Sequence, residues 1–223
     1  MKRLLSTAMR FTAFAIAASL FTAARVNAQS IGLSLTSPGS TYDGTPYTLG
    51  WEFSVNQAIN VTGLGVYVND TIDGLGSSAQ VGLWDASGDL LSSATVPAGL
   101  GGTLVNDFLF TDVTPVPLSI GTDYIVAAYE ADLASSINVA QGGLGSYNAV
   151  VNGIEDRFIL SSSLTFPTST VGLSGGAWLG GNFEFTPAPP ATPETSPIVS
   201  LSLGCMIFGA SSVLRRRRTQ IVT

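Results

Sequence analysis

Chemistry in this chain would have to be done by oxygen, because nitrogen and sulfur donors are nearly missing where a folded domain could use them. The sequence has no histidine, and its one cysteine, Cys205, sits in an apolar stretch near the C-terminus. Between Gln29 and Pro187 there is no lysine, and Arg157 is the single basic residue. Histidine-based triads and His/Cys metal sites are therefore excluded. Carboxylates remain. The run Asn69-Asp70-Thr71-Ile72-Asp73-Gly74 offers oxygen ligands at Asn69, Asp70 and Asp73 in a loop ending in glycine. Calcium takes such ligands from carboxylate-rich loops. The run lacks the full EF-hand spacing and its closing glutamate, and a solvated hairpin loop accounts for the same residues. Glu155-Asp156 beside Arg157 reads as a turn with a local ion pair. Two carboxyls about 5–9 Å apart could hydrolyse a glycosidic bond, but no spacing singles out a pair. No catalytic residue is assigned, and no cofactor is expected beyond calcium.

The charges are unevenly placed. Fourteen of the fifteen acids lie between Gln29 and Pro187 against Arg157 alone, a net −13 for that segment. Such a field repels phosphates and so argues against nucleic acid as a partner. It also keeps a glycine-rich protein soluble.

Both ends read as addresses rather than as parts of a domain. Lys2, Arg3 and Arg10 precede an apolar stretch from Phe11 to Ala24, and Val26-Asn27-Ala28 supplies the small residues that a signal peptidase reads. The expected cut falls between Ala28 and Gln29. At the other end the Pro-rich linker Pro187-Ala188-Pro189-Pro190-Ala191-Thr192 leads into Pro193-Glu194-Thr195-Ser196. Ile198 to Leu214 is a run of 17 uncharged residues, followed by Arg215, Arg216, Arg217 and Arg218. As a helix it would be roughly 25 Å long, at the short limit for a membrane span. The arginines would hold the cytoplasmic side and leave the acidic domain outside.

The order of Pro-Glu motif, apolar helix and arginine cluster resembles the PEP-CTERM sorting signal of Gram-negative bacteria and cyanobacteria. The match rests on Pro193, Glu194, the apolar stretch and Arg215 to Arg218, with Thr195 in place of the usual second proline. The resemblance implies recognition and processing by an integral-membrane exosortase, in organisms that make extracellular polysaccharide.

From Ser30 to Pro187 short apolar runs alternate with glycine, asparagine, aspartate and serine. The spacing predicts strands over Thr48–Val55, Asn60–Val68, Ala79–Trp84, Leu90–Val96, Leu104–Phe110, Tyr124–Tyr129 and Asn182–Phe185. Asp85-Ala86-Ser87-Gly88-Asp89 reads as a hairpin loop with glycine in the left-handed position. Trp51, Phe53, Trp84, Phe108, Phe110, Tyr124, Trp178, Phe183 and Phe185 are the expected core. Asp73-Gly74-Leu75, Val81-Gly82-Leu83-Trp84-Asp85 with Gly88 and Leu90-Leu91, and Pro115-Val116 with Leu118, Gly121 and Tyr124 resemble a recurring extracellular bacterial β-sandwich module of unknown function. That likeness covers Trp51 to Tyr129 and implies fold rather than activity.

These features define five expected segments: a signal peptide (1–28), an all-β, antiparallel, jelly-roll-like sandwich (29–187), a linker with the sorting motif (188–197), a transmembrane helix (198–214) and a cytoplasmic tail (215–223). The expected protein is non-enzymatic, exported and anchored in the cell envelope with its domain outside, with release to the surface or matrix as a further step open to it. Its expected partners are signal peptidase, an exosortase-type enzyme, the membrane and, in a matrix setting, extracellular polysaccharide. A carbohydrate-binding module using Tyr42, Tyr47, Tyr147 or Trp178 is the alternative, and a secreted hydrolase a third.

Overall fold

Strands form where β-branched and aromatic residues alternate between glycine, asparagine and aspartate breaks. The structure, a computed structural model, describes residues 29–36, 40–42, 46–68, 71–130, 137–139, 145–170 and 180–189, with the backbone alone at 40–42, 130 and 137–139. The expected signal helix and transmembrane helix lie outside the described residues, and so does Trp178. Among the described residues no helix is long and apolar enough to cross a membrane.

The described chain is all-β and consistent with a sandwich of two five-stranded antiparallel sheets. The first sheet runs, in order, β1 (Ser30–Ile31), β14 (Gly181–Pro187), β5 (Ile59–Tyr67), β9 (Phe108–Leu118) and β8 (Thr103–Val105). The second runs β13 (Val151–Leu160), β4 (Tyr47–Val55), β10 (Asp123–Glu130), β6 (Ala79–Asp85) and β7 (Leu90–Val96). Two small ribbons pair β2 (Leu33–Leu35) with β12 (Gly145–Tyr147) and β3 (Ser40–Tyr42) with β11 (Ile137–Val139).

Apolar residues from both sheets share one core. Trp51 and Phe53 of β4 meet Phe183 of β14, with ring centroids 5.8 and 4.6 Å apart. All three are fully buried. The indole Nε1–H of Trp51 donates to the carbonyl of Gly181 at 2.7 Å, so the largest core side chain also satisfies its polar edge across the two sheets.

Trp84 is buried as expected, though in a second cluster rather than in this one, and three other expectations are corrected. Its neighbours Val81 and Leu83 face the main cluster, while Trp84 packs with Ile125 and Ala127 beneath Leu164 and Phe166. Residues 161–169 thus form a strap over the second sheet. The strap is fastened by Thr165 N donating to Thr48 Oγ1 at 3.2 Å and by the paired backbone bonds of Phe158 and Ser169. Gly82 leaves room for the Trp84 ring, which would stand 2.3 Å from any Cβ there. Leu104–Phe110 is not one strand. It is β8, a two-residue turn at Asn106 and Asp107 (φ 46° and 64°) and the start of β9, because Asn and Asp tolerate the left-handed geometry that a tight hairpin needs. Glu155-Asp156-Arg157 is not a turn but the middle of β13. Finally, β9 runs on through Pro115 and Pro117, which is tolerated because β8 pairs only with Phe108 to Phe110 and the β5 ladder skips residues 113–115.

The 85–89 loop is as expected. Gly88 has φ +92°, and Asp85 Oδ1 accepts from the amides of Ser87 and Asp89 at 2.9 and 3.0 Å.

The two ends of the domain meet. Ser30 pairs with Phe185 and Ile31 with Glu184, so the start of β1 lies beside the end of β14. Gly32 N then donates to Phe183 O at 2.9 Å. The buried Asn182 amide clasps the Leu33 backbone, accepting from its N–H at 3.2 Å and donating to its carbonyl at 2.7 Å. Ala188 N continues the ladder to Ala58 O at 3.0 Å.

Gly50 shows how closely the second sheet is built. A Cβ there would stand 2.0 Å from the Val126 carbonyl oxygen and 2.4 Å from Ala127 Cβ, and backbone cannot yield as a side-chain tip can. Gly50→Ala is expected to cost about 3 kcal/mol by overpacking. Urea unfolding checks it, as a lowered midpoint at unchanged slope.

Candidate functional site

The residues singled out in the sequence distribute as follows. Gln29 is the first described residue, while Ala28, Pro193, Glu194, Thr195 and Arg215 to Arg218 lie outside the described set. Asn69 and Asp70 also lie outside it, and Asp73 is exposed in the turn over 71–73. Among the described residues no group of three or more His, Cys, Asp or Glu could hold a metal ion. Of the aromatics considered for sugar binding, Tyr147 is half-buried 5.1 Å from Trp51, with its ring where a Cβ on Gly153 would be. Tyr47 packs edge-on to Phe158 at 6.3 Å. The side chains of Tyr42 and Trp178 are not described.

Two carboxylate arrangements emerge from the sheet register. On β13 and β4, Arg157 bridges neighbouring strands. Its Nε donates to Glu52 at 2.9 Å, and its Nη2 reaches both Glu52 and, at 2.9 Å, Glu155. Glu52 is buried. The lone cation of the segment is thus used to pair a buried carboxylate against the sheet, a structural duty. Next to it, fully buried Asp156 accepts from Thr170 Oγ1 at 3.0 Å, a hydroxyl equally close to Glu155.

The second arrangement is a row across the first sheet. Glu184 on β14 pairs with Gly63 on β5, and Gly63 pairs with Asp112 on β9. Both ladders are irregular at this level, between Glu184 and Phe185 and between Val61 and Gly63, and such bulges re-aim side chains. Glu184 is only 5% exposed, and its Oε2 lies 2.7 Å from where a Gly63 Cβ would stand. Glycine therefore makes the seat for this carboxyl. Gln29 Nε2 donates to the same oxygen at 2.6 Å and lies 3.3 Å from Thr62 Oγ1. Burial, and then the negative charge of Asp112, push the Glu184 carboxyl above its ordinary range.

Asp112 also reaches an open cleft of about 420 Å³, whose walls include Pro97, Gly102, Thr103, Phe110 and Thr111. Hydroxyls and one carboxylate suit hydrogen bonding to a polyol. They do not make a nucleophile–base pair. Glu184 is not on the cleft wall, so a molecule seated there would meet one carboxylate, not two. Sequence reasoning missed this row, since only strand register makes these residues neighbours; glycines inside a strand pattern were its one visible trace.

A family model described as a domain of unknown function (DUF4082) matches residues 35–176. No curated protein and no solved structure matches the chain.

The raised Glu184 carboxyl sets a pH dependence. The folded chain still holds a proton that the unfolded chain, near the ordinary 4.5, has begun to release. Its contribution to stability is then full below that value and declines as pH rises through the folded-state value. With the Ala28–Gln29 peptide bond intact, Glu184→Gln is expected to flatten this decline, read as urea midpoints of variant and parent between about pH 4 and about pH 7.

Proposed function

The chain belongs to the DUF4082 family, and from that premise we propose that it is a non-enzymatic exported envelope protein whose β-domain is carried to the outside by its two tails. One observation carries the reading: the first and last strands pair, so both tails leave the domain at one place. A signal peptide over 1–28 and a transmembrane helix over 198–214 would then approach the same membrane from the same end of the domain, before and after the cut at Gln29. The proline-rich composition of residues 187–192 suits a short, stiff spacer between the ladder and the sorting motif.

In finer detail, we infer a jelly-roll. Numbering β1, β4, β5, β6, β7, β9, β10 and β14 from one to eight, the sheets read 1-8-3-6 and 2-7-4-5, with β8 and β13 added at the edges. That is the order in which two Greek keys wind a sandwich. The sorting motif Pro193-Glu194-Thr195 with Arg215 to Arg218 addresses the chain to an exosortase-type enzyme, and extracellular polysaccharide is the setting. The non-enzymatic reading has support in the carboxylates themselves: Glu52 and Glu155 are held by Arg157, and Glu184 is capped by Gln29. A lectin would present coplanar aromatics on an open face, whereas Tyr47 and Tyr147 pack against other rings.

Deleting residues 192–223 tests the sorting role. The truncated protein is expected to leave the membrane fraction and appear in the soluble periplasmic or medium fraction, with an unchanged melting temperature. Unaltered fractionation and surface display would refute the assignment.

A further inference from the structure

Gln29 is where the export reading and the acidic row meet. Cleavage after Ala28 would make Gln29 the N-terminal residue, and an N-terminal glutamine is chemically unstable. Its free α-amine attacks its own side-chain carbonyl carbon, Cδ; a C–N bond forms, the Cδ–Nε2 bond breaks, and ammonia leaves with the displaced proton. The product is a neutral five-membered lactam. It has neither the terminal ammonium nor the side-chain NH2 group.

In this fold that NH2 group is engaged. Nε2 of Gln29 donates to Glu184 Oε2 at 2.6 Å, with Thr62 Oγ1 3.3 Å away. The acceptor is buried and seated on Gly63, so it cannot simply turn to water when the donor is lost. The backbone nitrogen of Gln29 is only five covalent bonds from Nε2, and pairing of Ser30 with Phe185 fixes it beside β14. A new ammonium there lies within reach of the Glu184 carboxylate, which already feels the negative charge of Asp112, and the described charged side chains at this row include no competing cation.

We propose that Glu184 is the receptor for the mature N-terminus, holding Gln29 in its open-chain form and blocking its cyclisation. The inference rests on the cut between Ala28 and Gln29. The carboxylate acts twice. It keeps the α-amine protonated and therefore not nucleophilic, and it holds the leaving nitrogen in a charge-assisted hydrogen bond that the lactam cannot make. Release of the terminus by signal peptidase in turn supplies the cation that this buried acid lacks in the precursor.

The test uses the full chain, expressed with its own signal peptide in a bacterial host and recovered from the envelope. Intact-mass and N-terminal peptide analysis identify the first residue. Loss of one ammonia is then followed over time at neutral pH, in folded protein and in protein unfolded in urea. The folded protein is expected to begin at open-chain Gln29 and to close about tenfold more slowly than the unfolded chain, the equivalent of one charge-assisted hydrogen bond. Glu184→Gln, shown by its melting transition to be folded, is expected to lose most of that protection. Equal closure rates in folded and unfolded wild type, or full protection in Glu184→Gln, would overturn the inference while leaving the cut site standing. A first residue other than Gln29 would overturn the cut-site reading, and the inference with it.

Discussion

The stack of Trp51, Phe53 and Phe183 between the two sheets is the contact on which the rest depends. It is made by β4 and β14, each one strand in from the edge of its sheet, and the indole hydrogen bond to Gly181 fixes their relative height. Burying side chains of this size contributes several kcal/mol, and truncating one to alanine in a core costs about 3–5 kcal/mol. Because β14 is the last long strand, the stack ties the C-terminal end of the domain to its centre. β14 in turn offers its free edge to β1 and, through Asn182, to Leu33. Aromatic burial places β14, β14 places β1, and their pairing brings both ends of the domain to one spot.

A domain with fourteen acids and one base must place its carboxylates with care, and two solutions are visible. At β13 the single arginine is spent on holding Glu52 and Glu155, which lets an acidic strand lie against β4. At β14 no cation is within the sheet, so Glu184 is held by a neutral amide from Gln29 and by a seat without a side chain at Gly63. The second solution is the weaker one electrostatically, as the upward displacement of the Glu184 carboxyl reflects. That is why the row, rather than the arginine cluster, has something to gain from a new positive charge.

The architecture was legible where hydrophobic alternation was undisturbed. Strands β4, β5, β6, β7, β10 and β14 fall within a residue or two of the runs read from periodicity, and the glycine of the 85–89 loop is in its expected conformation. The failures have local causes. β13 carries three consecutive charged residues and a bulge between Gly153 and Glu155, so its alternation is broken and its ion pair, made with β4, imitates a turn. Asn106-Asp107 is a hairpin turn without glycine, which let two strands pass as one. Trp84 is buried as expected, but its parity sets it on the opposite face of the sheet, against the strap over 161–169. The acidic row left only its strand glycines as a trace, because its partners lie on three strands whose register shifts at bulges. By contrast, the likeness to an extracellular β-module of unknown function, drawn from core and turn residues alone, lies within the span matched by the family.

Coupling of the two ends is the claim from which the export reading and the role of Glu184 both follow. Its most direct measurement is a distance between spin labels at Gln29→Cys and Ala188→Cys, with Cys205 replaced by serine, read by pulsed electron paramagnetic resonance. Labels on neighbouring strands are expected to give a single narrow population spanning a few strand spacings of about 4.8 Å each. A broad population centred near the length of the sandwich would mean that β1 does not pair with β14, and that the tails leave the domain independently.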